Sequence, residues 1–80
     1  MWKLYIIYSE KTDRYYTGIS EDLAWRLERY NQGWGRYTKH GVPWKVVHTE
    51  DYDNKSEALK REREIKNRKS KNYIENLVKK

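Results

Sequence analysis

The sequence predicts a small α/β domain of the α+β type: a three-stranded antiparallel sheet with helices packed around it, in the order β-β-α-(α)-β-α-α. Three observations lead there. Two short apolar runs, Trp2 to Tyr8 and Arg14 to Ile19, flank a polar turn and read as a hairpin. A third strand pattern, Trp44 to Glu50, follows Pro43. Between and after the strands, apolar residues recur at helical spacing. The 80 residues suffice for one small domain, and without a repeat, linker or low-complexity stretch residues 1–80 are read as one.

The first strand alternates Trp2, Leu4, Ile6 and Tyr8 with Lys3, Tyr5 and Ile7. Both sides are fairly apolar, so it is expected to be central or covered. The hairpin is expected to set Tyr5 and Tyr16 side by side across the strands. Gly18 ends the second strand, where a missing Cβ lets backbone approach closely. Ser20 is the expected cap of a helix from Glu21 to about Gln32, with Glu21 and Asp22 in its first turn. Leu23, Leu27 and Tyr30 form its inner stripe, Arg26 sits on the stripe's shoulder, and Trp25 points outward. Asn31-Gln32-Gly33 stops the helix. A basic, aromatic connector leads to the third strand, with Trp44, Val46 and His48 expected on one face. Asn54-Lys55-Ser56-Glu57 is a capping-box signature. The helix it opens turns Ala58, Leu59 and Ile65 inward. Glu62 falls on that same face, where a carboxylate needs a partner or an ion. Ser70 is expected to cap a last helix that packs back through Tyr73, Ile74, Leu77 and Val78.

The net charge is +6, unevenly placed. Residues 1–53 carry 8 Lys/Arg against 8 Asp/Glu, whereas residues 54–80 carry 10 against 4. A neutral body with a basic C-terminal part points to an anionic partner, nucleic acid above all. The absence of cysteine excludes disulfides, thiolate chemistry and cysteine-built metal sites. It also fits a reducing compartment. No apolar run has signal or bilayer length, so a soluble cytoplasmic protein with no membrane partner is expected. Eight tyrosines and four tryptophans exceed what so small a core can bury, which leaves rings for a binding surface.

Leu4-Tyr5 followed by Tyr16-Thr17-Gly18 resembles the paired motif of the GIY-YIG nuclease superfamily. The likeness is greatest to its small single-domain bacterial members, similar to the nuclease domain of the UvrC repair protein. It extends through Asp22-Leu23-Ala24-Trp25-Arg26-Leu27, Gly33 to Thr38, and Ser56-Glu57-Ala58-Leu59-Lys60-Arg61-Glu62, covering about residues 2 to 78. Lys3 and Leu4 replace the glycine and isoleucine of the first half-motif, and Thr17 the isoleucine of the second. The resemblance implies catalytic roles for Tyr5, Tyr16, Arg26, Tyr30 and Glu62, with Glu62 the metal ligand and Gly18 structural. Tyr30 stands where many homing enzymes have histidine and repair-type members have tyrosine. His40 roughly fits a second histidine of some homing enzymes. The implied activity is metal-dependent endonucleolytic cleavage of DNA, with branched or damaged forms suggested by the repair-type relatives.

The chemistry also stands on the residue types. Phosphodiester hydrolysis needs an aligned water, charge on the phosphate and help for the leaving oxygen. Glu62 is a hard oxygen ligand suited to Mg²⁺ or Mn²⁺. Arg26 offers a fixed fork of donors. Tyr5 is the candidate general base or water-orienter, although an ordinary phenol has a pKa near 10 and needs nearby positive charge. Taken singly, each of these residues has an ordinary structural use; their joint spacing carries the site. Arg36, Lys39, His40, Lys66 and Lys69 are the expected phosphate contacts, with Lys60, Arg61, Arg63, Arg68 and Lys71 in the same basic region. Trp25 or Trp34 can stack on an unpaired base, seal the core or form a dimer contact. Two other classes stay open: a nucleic-acid binding module without significant cleavage, and a structural domain with a homodimer or partner-protein interface around Trp25 and Trp34.

Overall fold

The computed structural model describes residues 1–36, 38–68 and 70–79. Strands β1 (Trp2–Ser9) and β2 (Arg14–Ser20) form the hairpin, helix α1 (Leu23–Asn31) follows, and a 3₁₀ turn spans Thr38–Gly41. Strand β3 (Trp44–Tyr52) and helices α2 (Lys55–Arg68) and α3 (Lys71–Val78) complete the chain. The sheet runs β2-β1-β3 with both pairings antiparallel, which makes this an α+β fold with the expected element order. The apolar run Leu4 to Ile7 lies in the central strand, where all four side chains are buried.

The alternation along β1 gives the sheet two dry faces. Tyr5 and Ile7 join Trp44 on one, covered by Leu23, Leu27 and Tyr30 with Val42 and Val46. Leu4 and Ile6 point the other way, where α2 crosses β1 and β2 and buries Ala58 and Ile65. Two caps act as expected: Asn54 Oδ1 accepts the Glu57 amide at 2.9 Å, and Ser70 Oγ accepts the Tyr73 amide at 3.2 Å.

Two expectations are corrected. Asp22, not Ser20, caps α1, accepting the Trp25 amide at 3.1 Å. Ser20 is held in β2 by its pairing with Lys3, and its hydroxyl accepts the Asp22 amide instead. The helix therefore starts later, and Glu21 and Asp22 lie before it. In β3, His48 does not share a face with Trp44 and Val46. His48 pairs with Ile6 but Val46 with Ile7, so one extra residue is inserted at Val47. That bulge turns His48 and Glu50 toward the α2 side.

Helix α1 ends in a glycine cap. Gly33 takes φ +80°, its amide donates to the Tyr30 carbonyl at 3.0 Å, and the Trp34 amide donates to the Arg29 carbonyl at 3.2 Å. This paired closure needs a left-handed residue at Gly33 and folds Trp34 back along the helix.

Candidate active site

Tyr5 and Tyr16 share a sheet face but are not directly opposite. Tyr5 pairs with Gly18, and Tyr16 with Ile7, one pleat further along. The missing side chain at Gly18 is where the Tyr5 ring lies: a Cβ there would stand 2.5 Å from the hydroxyl and 2.7 Å from Cζ. Tyr30 descends from α1 between the two. Its hydroxyl hydrogen-bonds the Tyr5 hydroxyl at 2.8 Å, and its ring meets Tyr16 edge-on with centroids 5.7 Å apart. Three tyrosines distant in sequence thus form one contact cluster.

Gly18→Ala is expected to destabilise the fold by about 1–3 kcal/mol, because the rigid, buried Tyr5 ring has to leave its slot. For a domain this small that is a drop in melting temperature on the order of 5–15 °C, read by thermal unfolding. An unchanged melt would show that Tyr5 does not depend on the gap.

Arg26 lies one turn before Tyr30 on α1 and is exposed. Burial, followed by its bond to Tyr30, drives the Tyr5 phenol well above its ordinary pKa, and the Arg26 charge opposes this only in part. Tyr30 is raised as well, chiefly by burial. Both hydroxyls therefore keep their protons at neutral pH. This weighs against Tyr5 as a general base, since it is 2 % exposed. Tyr16, partly exposed, lines an open cleft of about 850 Å³ beside Thr17, Ile65 and Lys66.

Glu62, on α2, is linked to the cluster only through Lys66 among the described residues. Its Oε2 pairs with Lys66 Nζ at 3.2 Å, and that ammonium lies 5.6 Å from the Tyr16 ring centroid. The Glu62 side chain keeps 18 % of its surface open. Its Oε1 has no ion-pair partner among the described residues. Among the described residues, no three His, Asp or Glu side chains group as a ready cage. One partly open carboxylate with a free oxygen nonetheless suits Mg²⁺, which keeps several waters and takes phosphate oxygens as ligands. The donor set fits such an ion.

The basic residues separate into groups. Arg36 and His40 line a second cleft of about 510 Å³, while Lys39 is exposed on the 3₁₀ turn. Lys66 is on Glu62 and over Tyr16. Lys69 lies outside the described residues. Arg61 is no phosphate contact: its Nε donates to Glu50 Oε1 at 3.0 Å, and its Nη1 to Glu64 and the Tyr73 hydroxyl. His48 faces the same carboxylate at 2.8 Å. Sequence reasoning missed Arg14, which lines both clefts along with Thr12 and Trp44. Its only signal was a cation at the end of the hairpin turn. Among the described residues the larger cleft touches the tyrosine cluster through Tyr16 alone, beside Lys66, so it flanks the site rather than centring on it.

A three-stranded sheet whose hairpin tyrosines meet a helix-borne tyrosine is the frame of a domain in a nuclease family. The chain belongs to the GIY-YIG catalytic domain family, which it matches over residues 1–75. UPF0213 proteins of Staphylococcus aureus strains Mu3, Mu50 and N315 are each 52% identical to it over 52 residues. That span covers 64% of this chain and 63% of each relative, so the match takes in under two thirds of their length. No solved structure matches the chain. Among the described residues, no helix is long and apolar enough to cross a membrane.

Proposed function

We propose that this protein is a divalent-metal-dependent endonuclease that hydrolyses phosphodiester bonds in DNA, with branched or damaged forms as substrates. The observation that carries the reading is the Tyr5–Tyr30–Tyr16 cluster, with Arg26 beside it and Glu62 tied to it through Lys66. Family membership supplies the reaction class.

Each residue has a task set by its surroundings. Arg26, exposed at the edge of the cluster, places its donors on the scissile phosphate and stabilises the charge that develops there. Tyr16, open to the cleft, orients the attacking water by hydrogen bonding. Tyr30 presents a protonated hydroxyl to the substrate, and Tyr5 is a positioning residue that holds Tyr30 from beneath. Glu62 would hold Mg²⁺ or Mn²⁺, which supplies positive charge at the phosphate and the leaving oxygen. Lys66 swings from Glu62 to phosphate as substrate arrives, and Arg36, Lys39 and His40 guide the strand, with Lys69 a further phosphate contact.

The test is a nicking panel on linear, nicked, flapped and branched DNA, with RNA as comparison. Cleavage is expected with Mg²⁺ or Mn²⁺ and is expected to vanish in EDTA. Nicking of equal rate in EDTA, or none with either ion, would refute the reading.

A further inference from the structure

Two tryptophans on the outside of α1 serve neither the core nor the site. Trp25 is 50% exposed and Trp34 68% exposed. They are not scattered, because both lie against one guanidinium. Arg29 Cζ is 4.6 Å from the Trp25 ring centroid and 4.3 Å from that of Trp34. Cation–π attraction at these distances holds the two indoles and the guanidinium as a single ladder. Arg29 covers part of each ring, and the remaining aromatic surface is open to water.

The sequence builds this ladder by two local rules. Trp25 and Arg29 are one helical turn apart and so meet on one face. Trp34 lies beyond the helix but is returned to Arg29 by the Gly33 closure, through its amide bond to the Arg29 carbonyl at 3.2 Å. The platform is thus fixed before any ligand arrives, which lowers the ordering cost of binding. It also adjoins the site: Arg26 Cζ is 5.8 Å from the Trp25 ring centroid.

Charge decides the occupant. Two cations interleaved with flat aromatic surface match a chain that offers an anion and a flat ring at every step. In a duplex the ring faces are stacked inside, whereas an unpaired strand presents them. We propose that the Trp25–Arg29–Trp34 ladder stacks an unpaired base of single-stranded or flapped DNA, adjacent to the phosphate held by Arg26. The phosphate clause rests on the nuclease reading; the stacking does not need cleavage.

The test is binding in EDTA at low salt, read by fluorescence anisotropy of a labelled single-stranded oligonucleotide and of the matching duplex. Wild type is compared with Trp25→Ala, Trp34→Ala, Trp34→Tyr and Gly33→Ala, each screened by thermal melt. Either tryptophan-to-alanine change is expected to weaken single-strand binding about tenfold or more while changing duplex binding less than about twofold. Trp34→Tyr is expected to recover much of the loss. Gly33→Ala keeps both rings but strains the positive φ that places Trp34, so it is expected to fall between. Quenching of intrinsic fluorescence by the single strand is expected in wild type and reduced in the alanine variants. Equal losses on both DNA forms, unchanged single-strand affinity, or no wild-type binding would overturn the proposal. Self-association lost in Trp34→Ala with DNA affinity intact would reassign the ladder to a protein contact. A wild type that binds single strands selectively but nicks nothing would refute the nuclease reading and leave the ladder standing. Nicking with no role for the tryptophans would do the reverse.

Discussion

Glu62→Gln and Arg26→Ala are each expected to cut metal-dependent nicking by about a thousandfold while leaving the fold intact. The reasons differ. In the proposed function Arg26 acts through a fixed fork of donors aimed at developing charge, so Arg26→Lys, which keeps the charge, is expected to recover only part of the rate. Glu62→Gln keeps the shape and removes the anion that an ion would need. Neither change should cost much stability, because Arg26 is exposed and the Glu62–Lys66 pair is a helical i,i+4 contact worth a few tenths of a kcal/mol, roughly 0.3–0.5. Their binding signatures should separate them. Removing Glu62 frees Lys66 and deletes a negative charge, so DNA affinity in EDTA should hold or rise. Removing Arg26 should weaken it and lower the salt dependence by about one phosphate contact. Glu62→Gln retaining a tenth or more of wild-type nicking would displace Glu62 from the ion-holding role.

Much of this arrangement was legible because it depends on short-range rules. The central strand showed in the apolar run Leu4 to Ile7. The α2 and α3 caps showed in Asn54 and Ser70, whose partners lie three residues away. The inward turn of Glu62 followed from its spacing to Ala58 and Ile65. What was not legible depends on partners distant in sequence. The hairpin's polar stretch permits several registers, and only strand pairing sets Tyr5 against Gly18 rather than Tyr16. The same pairing takes Ser20 into β2 and passes the cap to Asp22. The bulge at Val47 is a property of two strands together, so alternation along one strand put His48 on the wrong face. Arg61 looked like its basic neighbours because its acceptor, Glu50, lies on β3 and faces α2 only through that bulge. The aromatic excess was visible, but its division between a cluster beneath α1 and a ladder outside it was not.

Glu50→Gln is expected to lower stability at neutral pH by about 2 kcal/mol, and that difference is expected to disappear in acid. Glu50 is a hub on the face opposite the tyrosines. Its Oε1 accepts from Arg61 Nε at 3.0 Å and from the Tyr52 hydroxyl at 2.6 Å. Its Oε2 accepts from Arg61 Nη2 at 3.3 Å and meets His48 Nε2 at 2.8 Å. Burial alone would raise this carboxyl's pKa, but the bonds from Arg61, then His48 and Tyr52, outweigh it and bring the value down to about 2. An unfolded glutamate titrates near 4.3. The folded state therefore holds the anion where the unfolded state has begun to take up protons. The stabilisation is complete above about pH 4.3 and is lost as the pH falls through about 2. Unfolding of wild type and Glu50→Gln in urea from pH 7 to pH 2 reads the difference directly and removes what the other carboxylates contribute to both. A gap that stays constant across that range would show that Glu50 is not held as a depressed carboxylate. The hub also bears on the proposed activity, since Arg61 is the residue before Glu62. Arg61 anchors α2 to β3, and Glu62 beside it pairs with Lys66 near Tyr16, so under the proposed function loosening Glu50 is expected to lower nicking without changing the ion that supports it.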